Sequence, residues 1–188
     1  MGKSTTARFF AEAGVPLHDA DAAVHRLYGG DAAAAIEAAF PGATVDGKVD
    51  RDRLAARVIG DPAAMKRLEG IVHPLVRREQ ERFLRDAEAA GATVAVLDIP
   101  LLFETGDERR CDAVVVVSAP PELQRARAFE RPGMTEEKFA SLLAKQTPDA
   151  EKRARADFIV DSAQGFDSAR AQVHAILRKA ANLPKRHI

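Results

Sequence analysis

Three short apolar runs, each closed by a polar residue, constrain this chain more than any other feature. Thr93–Leu97 runs into Asp98, the segment 112–117 into Ser118, and Phe158–Val160 into Asp161. A strand with one wet face alternates apolar and polar residues. A strand apolar on both faces reads as buried in a parallel sheet covered by helices. Helical patterns separate the runs, at Pro121–Glu130 and Thr135–Lys145, with a further helix expected over Asp167–Ala181. Strands alternating with helices imply parallel βαβ units and a three-layer α/β fold. A further extended segment, Val15–Leu17, leads into His18-Asp19-Ala20-Asp21. In open parallel sheets, ligands bind at the carboxyl ends of the strands. Asp19, Asp21, Asp98 and Ser118 all fall at such ends.

Between residues 22 and 90 the pattern is helical instead. It is punctuated by Gly29-Gly30, Pro41-Gly42 and Asp61-Pro62, the last an N-cap followed by proline at the first helical position. Pro74 repeats that start signal, so a second long helix is expected from there to Gly91, with His73-Pro74 between helices. The tail from Pro184 to Ile188 is expected to be loose. With 188 residues, one domain carrying an inserted subdomain is the expected organisation. A net charge of zero argues against a nucleic-acid partner, so any polyanion site must be a local cluster. Cys111, the sole cysteine, leaves no internal disulfide and fits a reducing, cytoplasmic compartment. No apolar run approaches the length of a membrane span.

Four groups of residues could carry chemistry. Gly2-Lys3-Ser4-Thr5 matches the second half of the phosphate-loop motif G-x-x-x-x-G-K-[ST], followed by a helical pattern. There, backbone N–H groups and a lysine hold phosphates while the hydroxyl meets Mg²⁺. Four residues alone are a weak signal, and on the motif alone a solvated terminus is the favoured reading. If residues 18–21 remain extended, Asp19 and Asp21 project to one side, able to bind a metal-associated water or accept a hydroxyl proton. The alternative is that Asp21 caps the next helix. Arg127 and Arg131 stand four apart on an expected helix, and an anion between them would relieve their repulsion. With Pro132-Gly133 behind them they look like the tip of a helical lid, or else a solvated basic face. The five histidines show no metal-ligand spacing, so a zinc site is not expected.

In chain order, these segments resemble the dephospho-coenzyme A kinase family over essentially the whole length. Gly2-Lys3-Ser4-Thr5 is followed by Asp19-Ala20-Asp21, then by His73-Pro74-Leu75-Val76. Asp98-Ile99-Pro100-Leu101-Leu102-Phe103-Glu104 comes next, then Arg127–Arg131 with Pro132–Thr135, Gln146, and Arg155-Ala156-Asp157 to Asp161. The Asp-Ala-Asp and Pro-Leu-Leu-Phe-Glu segments are far more specific than the loop remnant.

The resemblance implies a three-layer P-loop NTPase fold with a parallel sheet, a helical substrate-binding insertion over 22–90 and a helical lid over about 121–150. The core would then be 1–21 with 91–188. It implies transfer of the ATP γ-phosphate to the ribose 3′-hydroxyl of dephospho-CoA, the final step of coenzyme A synthesis, with Mg²⁺ assisting. Gly2, Lys3, Ser4 and Thr5 would bind ATP, Ser4 would ligate the metal, and Arg127 and Arg131 would close over the transferring group. Asp21 is the candidate base with Asp19 its partner, the choice between the two carboxylates staying open. Asp19, His73, Pro100, Leu101 and Glu104 would contact or support the acceptor. The expected assembly is a monomer or weak homo-oligomer without membrane partners. The resemblance also implies a first strand and first loop glycine upstream of Met1, absent from this sequence. Two rival readings follow: another P-loop kinase of a nucleoside or metabolite, or a nucleotide-binding fragment impaired by its incomplete loop.

Overall fold

The computed structural model describes residues 2–183. Met1, expected inside the phosphate loop, and the tail 184–188 lie outside the described residues. The order begins α1 (Lys3–Glu12), β1 (Leu17–Asp19), α2 (Ala20–Tyr28), α3 (Ala33–Ala39), β2 (Thr44–Val45) and β3 (Lys48–Val49). It continues with α4 (Arg51–Val58), α5 (Pro62–Ala89), β4 (Val96–Asp98), α6 (Leu102–Thr105) and a 3₁₀ turn at Asp107–Arg110. The remainder is β5 (Val115–Ser118), α7 (Pro121–Phe129), α8 (Glu136–Ala144), α9 (Asp149–Arg155), β6 (Phe158–Asp161) and α10 (Gly165–Ala180). These elements divide into two compact units, one running to Leu17 and resuming at Pro100, the other spanning His18–Ile99.

In the first unit, β5 and β6 pair in parallel, from Val115 opposite Phe158 to Ser118 opposite Asp161. Val116 and Val160 are buried in this pair. Helix α10 presents Ala169, Val173 and Ile176, spaced at helical intervals on one buried face. Helix α1 packs on α10, with Phe9 2% exposed and edge-on to Phe166. Burying one such aromatic side chain is worth about 1.5–3 kcal/mol.

The second unit is mainly helical. Its core gathers Leu27, Ile36, Phe40, Leu54, Val58, Leu68 and Val72 from α2 to α5. Within it β1 pairs with β4, and β2 with β3. The β2–β3 hairpin turns on Asp46-Gly47, both at positive φ, the backbone that a two-residue I′ turn requires. The Asp-Gly pair was a legible signal for a hairpin that the helical reading of 22–90 passed over.

Two expectations need correction. Pro74 does not start a helix: α5 runs unbroken for 28 residues from Pro62 to Ala89, and His73 lies inside it, exposed. Proline lacks the N–H for an intrahelical bond and crowds the carbonyl four residues back, here that of Gly70. The apolar stripe Ala64, Leu68, Val72, Leu75 and Val76 continues across it onto one core, and that packing outweighs the lost bond. The Asp61 start is as expected, its carboxylate accepting the N–H groups of Ala63 and Ala64 at 2.9 and 3.0 Å. The run Thr93–Leu97 is also extended for less of its length than its composition suggests, pairing only over Val96–Asp98.

Candidate active site

Helix α1 starts at Gly2, whose φ of 85° suits glycine and whose carbonyl accepts the Thr6 N–H at 2.9 Å. No side chain caps this end and no acid sits in its first turn. The first N–H groups of a helix have no intrahelical acceptor, and the helix dipole makes that end attractive to anions. Lys3 and Ser4 are exposed there, Thr5 is half-buried and Thr6 is buried. A Cβ placed on Gly2 would lie 3.4 Å from the Ser162 Cβ and 4.0 Å from Val117 Cγ1, so the carboxyl ends of β5 and β6 flank this turn.

Beside Gly2, Arg127 donates from Nη1 to the Ser162 hydroxyl and from Nη2 to the Ser162 carbonyl, both at 2.9 Å. Arg131 differs. Helix α7 ends at Phe129, the Arg131 N–H turns back to the Ala128 carbonyl, and Pro132 cannot continue the helix. Arg131 therefore stands beyond the helix end rather than one turn along the face that carries Arg127. Its side chain is exposed and has no polar partner among the described residues.

Pro100 and Leu101 open the segment after β4. Leu101 adopts φ 56°, a left-handed backbone that costs a residue with a Cβ about 1–2 kcal/mol, while its side chain is 45% exposed. Its carbonyl accepts from the Thr105 N–H at 3.0 Å and the Thr105 hydroxyl at 3.1 Å, which holds the turn. Strain of this kind gathers at functional sites. Glu104 accepts the Thr147 N–H at 2.6 Å and lies 3.6 Å from Lys152 Nζ. Burial pushes its pKa up, but the Thr147 N–H, its own backbone N–H and Lys152 prevail, and it ends below the ordinary carboxylate range. Glu104 thus anchors the loop between α8 and α9.

In the other unit, Asp19 closes β1 and accepts the Ala22 N–H at 3.0 Å. The extended segment stops at Asp19, and Asp21 falls in the first turn of α2. Residues so placed at a helix start do not face each other, so the two carboxylates do not share a strand face. The cap is Asp19, not Asp21. Asp21 is exposed with no polar partner among the described residues, a carboxylate available to a hydroxyl. His73, on α5, is likewise exposed.

The sequence reading weighed His18 only as a metal ligand. It is 4% exposed, packed 5.4 Å from the Phe83 ring, with neither ring nitrogen hydrogen-bonded. Burial lowers its pKa, the neighbouring Glu79 raising it and Arg26 lowering it by smaller amounts. The available signal was the strand alternation, which turns His18 to the face opposite Leu17 and Asp19. It also missed Ser162 and Asp149, whose roles depend on contacts across 31 to 44 positions of sequence.

The described residues contain no group of three or more acidic, histidine or cysteine side chains placed to hold a metal. Ser4 offers a hard hydroxyl oxygen at the α1 N-terminus, which no side chain caps. That fits Mg²⁺, which takes most of its ligands from phosphate and water and few from protein. Among the described residues no helix is long and apolar enough to cross a membrane.

A family model described as dephospho-CoA kinase matches residues 1–167. The dephospho-CoA kinase of Rhodopseudomonas palustris (strain CGA009) is 62% identical over 186 residues, covering 99% of this chain and 94% of that protein. The dephospho-CoA kinase of Bradyrhizobium diazoefficiens is 63% identical over 186 residues with the same coverage. A solved structure from Thermus thermophilus superposes with a TM-score of 0.82 at 35% identity, covering 95% of this chain and 91% of that one. With an α/β architecture, an uncapped helix after a glycine-lysine-serine turn, and near full-length likeness to these kinases, the chain belongs to the dephospho-CoA kinase family.

Proposed function

We propose that this protein transfers the γ-phosphoryl group of ATP to the ribose 3′-hydroxyl of dephospho-CoA, yielding coenzyme A and ADP. The observation that carries the reading is the uncapped N-terminus of α1, with Lys3 and Ser4 in its first turn and Arg127 tied beside it. That is chemistry for a polyphosphate, and the near full-length relatives supply the acceptor.

Phosphoryl transfer asks the protein for positioning and charge rather than covalent chemistry. Gly2 and Thr5, with the first-turn N–H groups of α1, cradle phosphate oxygens, and Lys3 reaches the β/γ oxygens. Ser4 would hold Mg²⁺, which when bound offsets charge on those oxygens. Asp21 takes the 3′-hydroxyl proton as that oxygen bonds to phosphorus and the bond to the β-phosphate oxygen breaks. Asp19, held as the α2 cap, fixes the start of the helix that carries Asp21. Arg127 meets the transferring group from its fixed seat, and Arg131 joins it as segment 121–150 closes as a lid. Residues 22–90 form the coenzyme-binding insertion, His73 with Pro100 and Leu101 contacts the acceptor, and Glu104 supports that site through Thr147. We place the protein in the cytoplasm as a monomer or weak homo-oligomer, with neither nucleic acid nor membrane as partner.

The test is incubation of purified protein with ATP, Mg²⁺ and dephospho-CoA, with the product weighed by mass spectrometry. One added phosphate is expected. A folded protein that phosphorylates AMP or shikimate but leaves dephospho-CoA untouched would overturn the assignment.

A further inference from the structure

One chain of hydrogen bonds in the first unit joins four elements. Ser162 continues the β5–β6 ladder by one step, its N–H donating to the Ser118 carbonyl at 2.9 Å. The Ser162 hydroxyl has one proton, and it goes to that same carbonyl at 3.0 Å. Its lone pairs are then left to accept, which is what Arg127 Nη1 requires at 2.9 Å, while Nη2 uses the Ser162 carbonyl. The Ser118 hydroxyl points the other way and donates to the Asp149 carboxylate at 2.8 and 3.0 Å. Both serines are buried, at 6% and 9% exposure, where an unmade hydrogen bond is costly.

The chain has a specific consequence for Arg127. A guanidinium carries five N–H donors in a rigid plane. Two of them are committed to one residue through two different oxygens, which fixes the orientation of the plane as well as its position. Its anchor is the residue whose Cβ and hydroxyl come within 3.4 and 3.6 Å of a Cβ built on Gly2. The remaining donors are thereby held beside the start of α1. Asp149 opens α9 and Arg127 lies on α7, so both ends of the segment carrying α8 are tied to the strand ends through these two serines.

We propose that Ser162 is a positioning residue: it sets the Arg127 guanidinium beside the α1 N-terminus before nucleotide arrives, with Ser118 and Asp149 holding Ser162 in place. The proposal rests on the reading of Arg127 as a group that meets the transferring phosphoryl. An arginine already oriented loses less freedom when the transition state forms, so its benefit falls on turnover rather than on substrate binding.

The test is a double-mutant cycle on the full chain, with Ser162→Ala and Arg127→Met singly and together. Steady-state kinetics would be read with dephospho-CoA and ATP, alongside thermal melts. Ser162→Ala is expected to lower kcat about tenfold with KM for dephospho-CoA unchanged, the scale of one hydrogen bond to a charged group. Ser162→Thr, which keeps the hydroxyl, should recover most of that loss. In the Arg127→Met background Ser162→Ala should cost nothing further. Should the alanine variant fail to fold, Ser162→Cys, similar in size but a poor acceptor, carries the same comparison. Equal loss in both backgrounds would overturn the positioning role while leaving the kinase reading intact. Full turnover of Arg127→Met alone would instead remove Arg127 from the chemistry, and the proposal with it.

Discussion

Asp19 and Asp21 show how two like residues two positions apart acquire different work. Asp19 satisfies the Ala22 N–H, whereas Asp21 has no polar partner among the described residues. Asp19→Ala should therefore act mainly on stability, costing about 1 kcal/mol as caps do, read from a denaturant midpoint. Asp21→Asn should leave the midpoint in place and lower kcat by about 10²–10⁴, with ATP affinity little changed. Near-normal turnover of Asp21→Asn would remove Asp21 as the base. His18 makes a pH prediction. Its pKa is lowered by burial, with Glu79, Arg26 and Asp19 the charged groups around it. The unfolded chain therefore binds a proton that the native state resists. Stability should be complete above about pH 6.5 and fall as pH drops below that value, until the folded form also protonates. Denaturant midpoints between pH 5 and 8 should slope accordingly, and His18→Phe should flatten the slope. An unchanged slope would show that His18 is not its source.

At the scale of elements, α5 is the instructive case. Its 28 residues cross Pro74 because the stripe packed on the second unit's core is continuous on both sides of it. Restoring the missing N–H with Pro74→Ala should stabilise the protein by about 1–3 kcal/mol, measured by urea unfolding. A loss of stability would mean that the core depends on the helix geometry proline imposes. The Thr135 start of α8 behaves as its composition suggests, the hydroxyl accepting the Lys138 N–H at 3.3 Å. Strand ends were less legible. The apolar runs marked β4, β5 and β6, but pairing, which depends on a neighbour, decided where each ladder began.

At the scale of the molecule, nucleotide should stabilise the fold in proportion to its occupancy. Binding at about 100 times Kd adds about 2.7 kcal/mol, read as an upward shift in the thermal melt with ATP and Mg²⁺. Lys3→Ala should reduce that shift along with turnover, because the lysine acts on the bound phosphates. A shift as large as in the parent protein would place the nucleotide elsewhere. The sequence by itself determined the α/β class, the helical character of 22–90, the cap at Asp61, the helix start near Thr135, and the motif order that marks the family. Those properties are local, set by periodicity, backbone chemistry and residue type within a few positions. Only the tertiary structure decided that Pro74 lies within a helix, and that Arg127 is seated on Ser162 while Arg131 is not. Each of these outcomes turns on which donor meets which acceptor, or which side chain finds a core. Arg127 and Ser162 lie 35 positions apart in sequence, and only chain folding makes them neighbours.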